Sequence, residues 1–505
     1  MMSPRPSPRL LTALALACLW LSADAAPKPV RPGDPYLSIP YDRLGFEPVQ
    51  QRFLVGGATM FTLNFVDDTH LLLTFNTHGL IPRLPDAKPD DDDRLVNAEL
   101  IELPSGNILA RTQWHTRDRE QYLWPLAHGQ FLLRIRNRLT VIDPIHSLAT
   151  PDPFQQQRFL DLDRRIGYLN LSPGGDLLCV ETIPPPVSVV DGPASRTETL
   201  IHVYFFRMIY TAEPGQPPHL TAQSAGQLAT QRLIRVPATS EGFLDTSRES
   251  PGTWLFDFQS HAGKRIELSP YDTTCQPTPF FVSRTEFVAF GCRGSDSKLE
   301  LSGFNMRGEE PWIQMLSSQQ IAPSFASAPD AGRFVFSHIL VTGTFYDIDN
   351  LSPEELSAQE IMVIQNHDGR ILLKVQASPI QRTGQNFDIS PDGLSFAVLR
   401  ADHLDVFHLP PLTAKDQEQV KLAAADMPEK NDARIRLTIT RPAAAAPAKA
   451  DTALTIPVDA PPALPSAPLP QSSPADPAAD DDQPRKPPSL YGPDYPNPKK
   501  PNPPG

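Results

Sequence analysis

Phe387-Asp388-Ile389-Ser390-Pro391-Asp392-Gly393-Leu394-Ser395-Phe396-Ala397-Val398-Leu399 reads as two short strands joined by a tight turn. Pro391 pre-sets φ for the first central position of a type I turn. Asp392 can hydrogen-bond locally, and Gly393 accepts the left-handed conformation that closes the hairpin. Phe387 and Ile389, then Phe396 and Val398, alternate with smaller or polar residues at the period of a half-buried strand.

The same unit recurs. Tyr168–Val180 carries it around Ser172-Pro173-Gly174-Gly175, and Phe325–Phe336 around Ala328-Pro329-Asp330-Ala331-Gly332, with one inserted residue. Weaker copies run from Phe61 to Phe75 (turn at Asp67-Asp68), Leu123 to Ile135 (His128-Gly129) and Phe280 to Phe290 (Ser283-Arg284). The interval 229–271 has room for one more, with a strand-like Thr253–Phe258 and no recognisable turn motif. Third strands follow at Arg138–Ile142, Leu200–Met208, Glu360–Gln365 and His403–Leu409, and a fourth at Gly369–Val375. No long amphipathic helical pattern competes between 50 and 410. These units, spaced by about 45–60 residues, predict an all-β protein: a β-propeller of about seven four-stranded blades. Six or eight blades fit the spacing as well.

The run Phe387–Leu412, with its Ser-Pro-Asp-Gly turn and the ending His408-Leu409-Pro410-Pro411, resembles a blade of the WD40-like or TolB-like bacterial β-propellers. The resemblance extends loosely over 55–410 and implies a fold. It implies no activity, since propellers carry binding scaffolds and unrelated enzymes alike. The Trp-Asp dipeptide of the eukaryotic repeats is absent from these strand ends.

The flanks predict an address. Arg5 and Arg9, the apolar run Leu10–Leu21 and Ala23-Asp24-Ala25 form a secretory signal peptide over 1–25. An uncleaved anchor or lipidation at Cys18 are the alternatives, but the apolar run is short for a span and Ala15-Leu16-Ala17 fits a lipobox poorly. The expected order is then an extended Pro-rich lead-in at 26–50, the propeller at 51–411, a partly ordered extension at 412–441 with a short helix around Lys415–Ala424, and a Pro/Ala-rich tail at 442–505. The tail cannot bury enough apolar surface to offset its ordering entropy and is expected to be disordered. Tyr491, Tyr495, Lys499 and Lys500 make it either a solvated tail or a contact to envelope material. Ring closure needs a strand from one terminus. Arg52–Val55 and Arg434–Thr440 are the two candidates, with the N-terminal one favoured.

Chemistry is sparse. The formal net charge of −13 disfavours nucleic acid and anionic membranes as partners. No Gly-x-Ser-x-Gly elbow, His-Glu-x-x-His, Cys-x-x-Cys or phosphate-cradling Gly-rich loop is present. No cofactor is expected. Asp90, Asp91, Asp92 and Asp93 could gather a hard cation, but they lack the Gly and the spaced ligands of a calcium loop, and a solvated charge run is the favoured account. His115, Arg117, Asp118, Arg119 and Glu120 cluster where loops leave a propeller rim, as a binding edge or a salt-bridge network. Trp114, Trp124 and Trp254 are sugar-stacking candidates or blade packing. Cys275 and Cys292 flank one hairpin, as a disulfide or as two core thiols, whereas Cys179 sits in an apolar strand as a buried free thiol.

The reading that follows is an exported, non-enzymatic propeller that binds a protein or envelope polymer, with no membrane span in the mature chain. A secreted polysaccharide hydrolase or lyase is the alternative. A structural subunit of an envelope assembly is the third. Function is expected where the repeat breaks, in the insertions near 82–94, 184–198 and 343–358.

Overall fold

In a computed structural model, the described residues are 33–46, 61–76, 94–116, 121–135, 137–184, 200–211, 219–231, 235, 237–260, 265–293, 298–316, 320–342, 354–381 and 385–425. The signal-peptide stretch, Asp90–Asp93, Arg117–Glu120, Arg52–Val55, Arg434–Thr440, the 442–505 tail and most of the three insertions lie outside them.

Seven antiparallel sheets follow one another along the chain. Strand β1 (Leu37–Pro40) comes first in sequence but belongs to the last sheet. Blade 1 holds β2 (Phe61–Asp67), β3 (His70–Asn76), β4 (Arg94–Glu102) and β5 (Asn107–Thr116). Blade 2 holds β6 (Leu123–Pro125), β7 (Phe131–Ile135), β8 (Arg138–Ile142) and β9 (Gln157–Asp161). Blade 3 holds β10 (Arg165–Leu171), β11 (Leu177–Ile183), β12 (Ile201–Thr211) and β13 (His219–Thr230). Blade 4 has β14 (Gly242–Ser250), β15 (Thr253–Ser260) and β16 (Arg265–Asp272). Blade 5 has β17 (Thr278–Phe281), β18 (Glu286–Arg293), β19 (Lys298–Asn305) and β20 (Trp312–Met315). Blade 6 has β21 (Gln320–Ala328), β22 (Arg333–Val341), β23 (Leu356–Gln365) and β24 (Ile371–Ala377). Blade 7 has β25 (Phe387–Ile389), β26 (Ser395–Leu399) and β27 (His403–His408). The protein is a seven-bladed β-propeller.

Ring closure corrects one expectation. The outer strand of blade 7 is β1, paired with β27 from Leu37↔Val406 to Pro40↔His403, and not Arg52–Val55. The propeller therefore begins inside the stretch read as a lead-in. An outermost strand donates on one side only, which is why Pro40 is tolerated there. Tyr36 stacks on His408 at 3.8 Å between ring centroids, and Ser38 Oγ donates to Asp405 Oδ1 at 2.8 Å.

Apolar side chains from facing strands fill each gap between consecutive blades, giving seven packed clusters for seven interfaces. Trp114 belongs to one of these, edge-on to Phe154 at 6.1 Å. Blade 4 departs from the repeat. Its innermost position is taken by 237–239, which makes the isolated bridge Ala238↔Phe243, the bond Leu244 N–H to Pro237 O and a reciprocal pair between Thr239 and Gly242, but no regular strand. Pro237 lacks the N–H a ladder requires.

The turns between first and second strands pack into one another. Ser390 Oγ accepts the Ser395 N–H at 2.8 Å, and Asp392 Oδ1 accepts the Leu394 N–H at 2.9 Å. Ser172 Oγ repeats the device, taking the N–H groups of Asp176 and Leu177. Gly393 has φ +68°, and a Cβ there would lie 2.4 Å from the Ala331 Cβ of the neighbouring turn. Asp68 Oδ1 accepts the Asp392 N–H, joining blades 7 and 1. Arg284 bonds Ser240 Oγ and pairs with Glu241 and Asp176, joining blade 5 to blades 4 and 3. Arg333, fully buried, donates to Gln365, to Gly393 O at 2.5 Å and to Pro410 O at 2.7 Å.

Helix α1 (Ala414–Ala425) matches the expected short helix and lies across the turns of blades 5 and 6. Thr413 caps it reciprocally with Asp416: Asp416 N–H donates to Thr413 Oγ1 at 3.1 Å, and Thr413 N–H to Asp416 Oδ2 at 2.9 Å. Arg370 anchors Asp416, and Thr285 Oγ1 donates to Ala423 O at 3.0 Å.

Cys275 and Cys292 are disulfide-bonded, with Cα atoms 5.4 Å apart and a sequence separation of 17. The bridge ties the entry to blade 5 onto β18 and contributes about 3 kcal/mol for a loop of that size. Cys179 is a buried free thiol in β11. No helix among the described residues is long and apolar enough to cross a membrane.

Candidate functional site

A strand that lines the centre of a ring has one edge without a ladder partner, so its N–H and C=O groups need other neighbours. On β2 they come from blade 7. Phe61 N–H donates to Gln381 Oε1 at 3.3 Å, Leu63 N–H to Gln385 O at 2.9 Å and Phe65 N–H to Asp388 Oδ2 at 2.7 Å. This sets the side chains of the inner strands around a central channel.

The channel encloses about 460 Å³ and every blade contributes to its wall. Three features give it chemical character. The first is aromatic: Phe280 and Phe325 stack at 4.7 Å on blades 5 and 6, and Trp124 and Tyr168 face the channel from blades 2 and 3. The second is a set of polar atoms with no hydrogen-bond partner, Asn64 Nδ2, Ser324 Oγ and Gln385 Oε1, all on residues of the wall. Enclosed polar atoms of this kind favour a ligand or water that completes their bonds.

The third is charge. Among the described residues, Asp388 is the one carboxylate of the lining and Arg235 the one guanidinium. Burial raises the Asp388 carboxyl to about 7, against the N–H groups of Phe65 and Ile389, which favour the ionised form. Asp388 is half-buried, on the channel wall. Arg235 has φ +52°, in the left-handed region that a non-glycine residue rarely adopts. Its N–H donates to Glu181 Oε1 at 2.6 Å, and its guanidinium lies 5.9 Å from the centre of the Tyr168 ring. Burial lifts the Tyr168 phenol to about 12, helped by Cys179 and Glu181 and opposed by Arg235. The irregular inner segment of blade 4 thus brings an exposed cation to the channel wall.

The candidates from the sequence fall elsewhere. His115 is exposed near the end of β5, paired in register with Leu95. Its companions Arg117, Asp118 and Arg119, with Glu120, lie outside the described residues, as do Asp90–Asp93. Among the described residues no three His, Cys, Asp or Glu side chains gather as a metal site. Of the three tryptophans, Trp124 lines the channel. Trp254 sits on β15 opposite Arg248 and Tyr271. Asp388 lay in plain sight in the opening stretch, one residue after Phe387, but nothing local distinguishes it from a solvated strand residue. Arg235 carried no signal, because its left-handed backbone and its place on the channel wall exist only in the folded ring.

No protein-family profile matches this chain. No curated protein matches it either. Solved structures similar to it include a putative TolB from Agrobacterium tumefaciens, 14% identical over 60% of this chain and 95% of that one, with a TM-score of 0.31. TolB from Acinetobacter baumannii is 11% identical over 62% of this chain and 76% of that one, at 0.30. The acylaminoacyl peptidase of Pyrococcus horikoshii is 8% identical over 72% of this chain and 55% of that one, at 0.42. The likeness is one of fold.

Proposed function

We propose that the protein is an exported, non-enzymatic propeller that binds a protein or an envelope polymer at its central channel. The observation that carries this reading is the channel wall, which among the described residues combines aromatic side chains, unpartnered polar atoms and a single charge of each sign. Such a surface recognises an extended, partly polar chain by stacking and hydrogen bonding. Export rests on the leader sequence. It predicts a periplasmic or extracellular mature chain starting at Ala26, which N-terminal sequencing of the envelope fraction checks. The 442–505 tail then serves as a spacer or envelope contact, and its deletion is expected to reduce surface retention.

Binding is tested by capture from envelope extract with wild-type protein and with Ser324→Trp, which fills the channel. The expected result is a reproducible partner, protein or glycan, captured by the wild type and lost in the variant. Equal capture by both contradicts the channel as the site.

Asp388 supports a second reading. A carboxyl held near neutrality in a cleft is suited to general acid–base work on a glycosidic bond. A polysaccharide panel showing turnover that Asp388→Asn abolishes would replace binding with hydrolysis or elimination.

A further inference from the structure

Several buried carboxylates in this propeller are matched by an arginine. Glu99 pairs with Arg111, Glu241 with Arg284, Asp257 with Arg265 and Asp405 with Arg400. Glu286, at the start of β18, is different. Its oxygen Oε2 meets only neutral groups, Ser283 Oγ at 3.2 Å and Asn366 Nδ2 at 3.3 Å. Burial holds its carboxyl above the ordinary range.

Beside Glu286 lies a cavity of about 520 Å³ between blade 5 and the C-terminal half of α1. Asn366 lines it, is only 6% exposed, and has no hydrogen-bond partner for Oδ1. His367, in the same wall, sets Nε2 3.4 Å from Asp368 Oδ2 and 3.7 Å from Asp416 Oδ1. Arg307, the one Lys or Arg of the lining among the described residues, pairs with Glu309 at 3.7 Å. The rest of the wall is largely apolar, with Phe287 and Phe304 below and Leu422 above. The cavity therefore combines a carboxylate with no lysine or arginine partner and only the His367 imidazole nearby, an open amide acceptor and walls fit for methylene groups.

We propose that this cavity is a binding site for an alkylammonium group, either a free diamine or the side chain of a lysine presented by a partner. The ammonium bonds Glu286 and Asn366 Oδ1, and the methylene stem lies against Phe304 and Leu422. A cation there supplies the charge that Glu286 lacks, and the charge-assisted bonds are of the stronger kind.

Titration calorimetry on the full chain tests this with cadaverine, with N-acetyl-lysine methylamide, and with pentanediol as the uncharged control. At least one amine is expected to bind and the diol is not. Cadaverine alone identifies a free diamine, and the lysine derivative alone identifies a protein side chain. Glu286→Gln is expected to weaken binding by about tenfold or more. Leu422→Trp, at a position 54% exposed, leaves the fold intact and is expected to abolish binding by filling the cavity. Binding of neither amine overturns the proposal, as does equal binding of the diol. Unchanged affinity in a folded Glu286→Gln also overturns it. Should that variant not fold, unchanged affinity in Leu422→Trp does the same.

Discussion

Blade 7 and blade 4 solve the same problem with opposite economies. In blade 7 the residues of Ser390–Gly393 serve the backbone: Ser390 and Asp392 satisfy N–H groups, and Gly393 provides a conformation and a close approach. In blade 4 the corresponding inner segment keeps one β-bridge, and Arg235 sits in a strained conformation at the channel. The regular blade holds the ring together. The irregular one gives the channel its only positive charge among the described residues. Strain that persists at a cleft is a pointer to use, because the surroundings must over-determine it.

The contrast can be broken most forcefully at glycines. Gly393→Val forces a β-branched residue to φ +68° and drives its Cβ against Ala331. The expected loss is about 4 kcal/mol. Gly252, in the β14–β15 turn of blade 4, has φ +89° but nothing within 4 Å of an added Cβ. Gly252→Val should lose about 1–2 kcal/mol, for backbone conformation alone. Urea midpoints of the two variants read this difference directly, and equal losses would contradict it.

Arginines give the next largest separation. Arg333→Met strands Gly393 O and Pro410 O in the blade 6–7 interface and is expected to cost about 3 kcal/mol. Arg235→Met, at an exposed side chain, is expected to stay within about 0.5 kcal/mol of wild type. It should nevertheless impair partner capture, which separates a fold residue from a site residue.

The smallest effect is electrostatic. The Asp388 carboxyl titrates near 7 in the folded protein, against about 4 when unfolded. The folded state therefore binds this proton more tightly, and the stabilisation is full below about pH 4 and lost as pH rises through 7. Asp388→Asn should gain about 1–2 kcal/mol relative to wild type between pH 4 and 7, allowing for solvent screening at a half-buried position, with no further change above. Glu99, also raised to about 7 by burial, contributes the same slope to both proteins and cancels in the difference.

How much of this was legible depended on whether the signal was local. Arg138–Ile142 is a strand with the bounds its alternation and flanking residues suggest, and the turns at His128-Gly129 and Ser283-Arg284 fall between paired strands. The all-β reading and the seven blades follow from such local repetition. The closing strand Leu37–Pro40 was hidden, because four residues beside prolines carry no periodicity and their partner lies at the far end of the chain. The channel was hidden for a similar reason. Asn64, Ser324, Gln385 and Asp388 are ordinary strand and loop residues until closure of the ring brings them to one cavity. Glu286 sits two residues after a legible turn, yet its lack of an arginine or lysine partner is a property of the folded face alone.

The central claim is that recognition happens inside the ring. A photo-crosslinking amino acid placed at Asn64 in the channel, and separately at the exposed Glu418 on α1, tests it in the intact envelope. The account predicts a discrete cross-linked product from Asn64 that Glu418 does not give. No product from Asn64, or the same product from both positions, would contradict it.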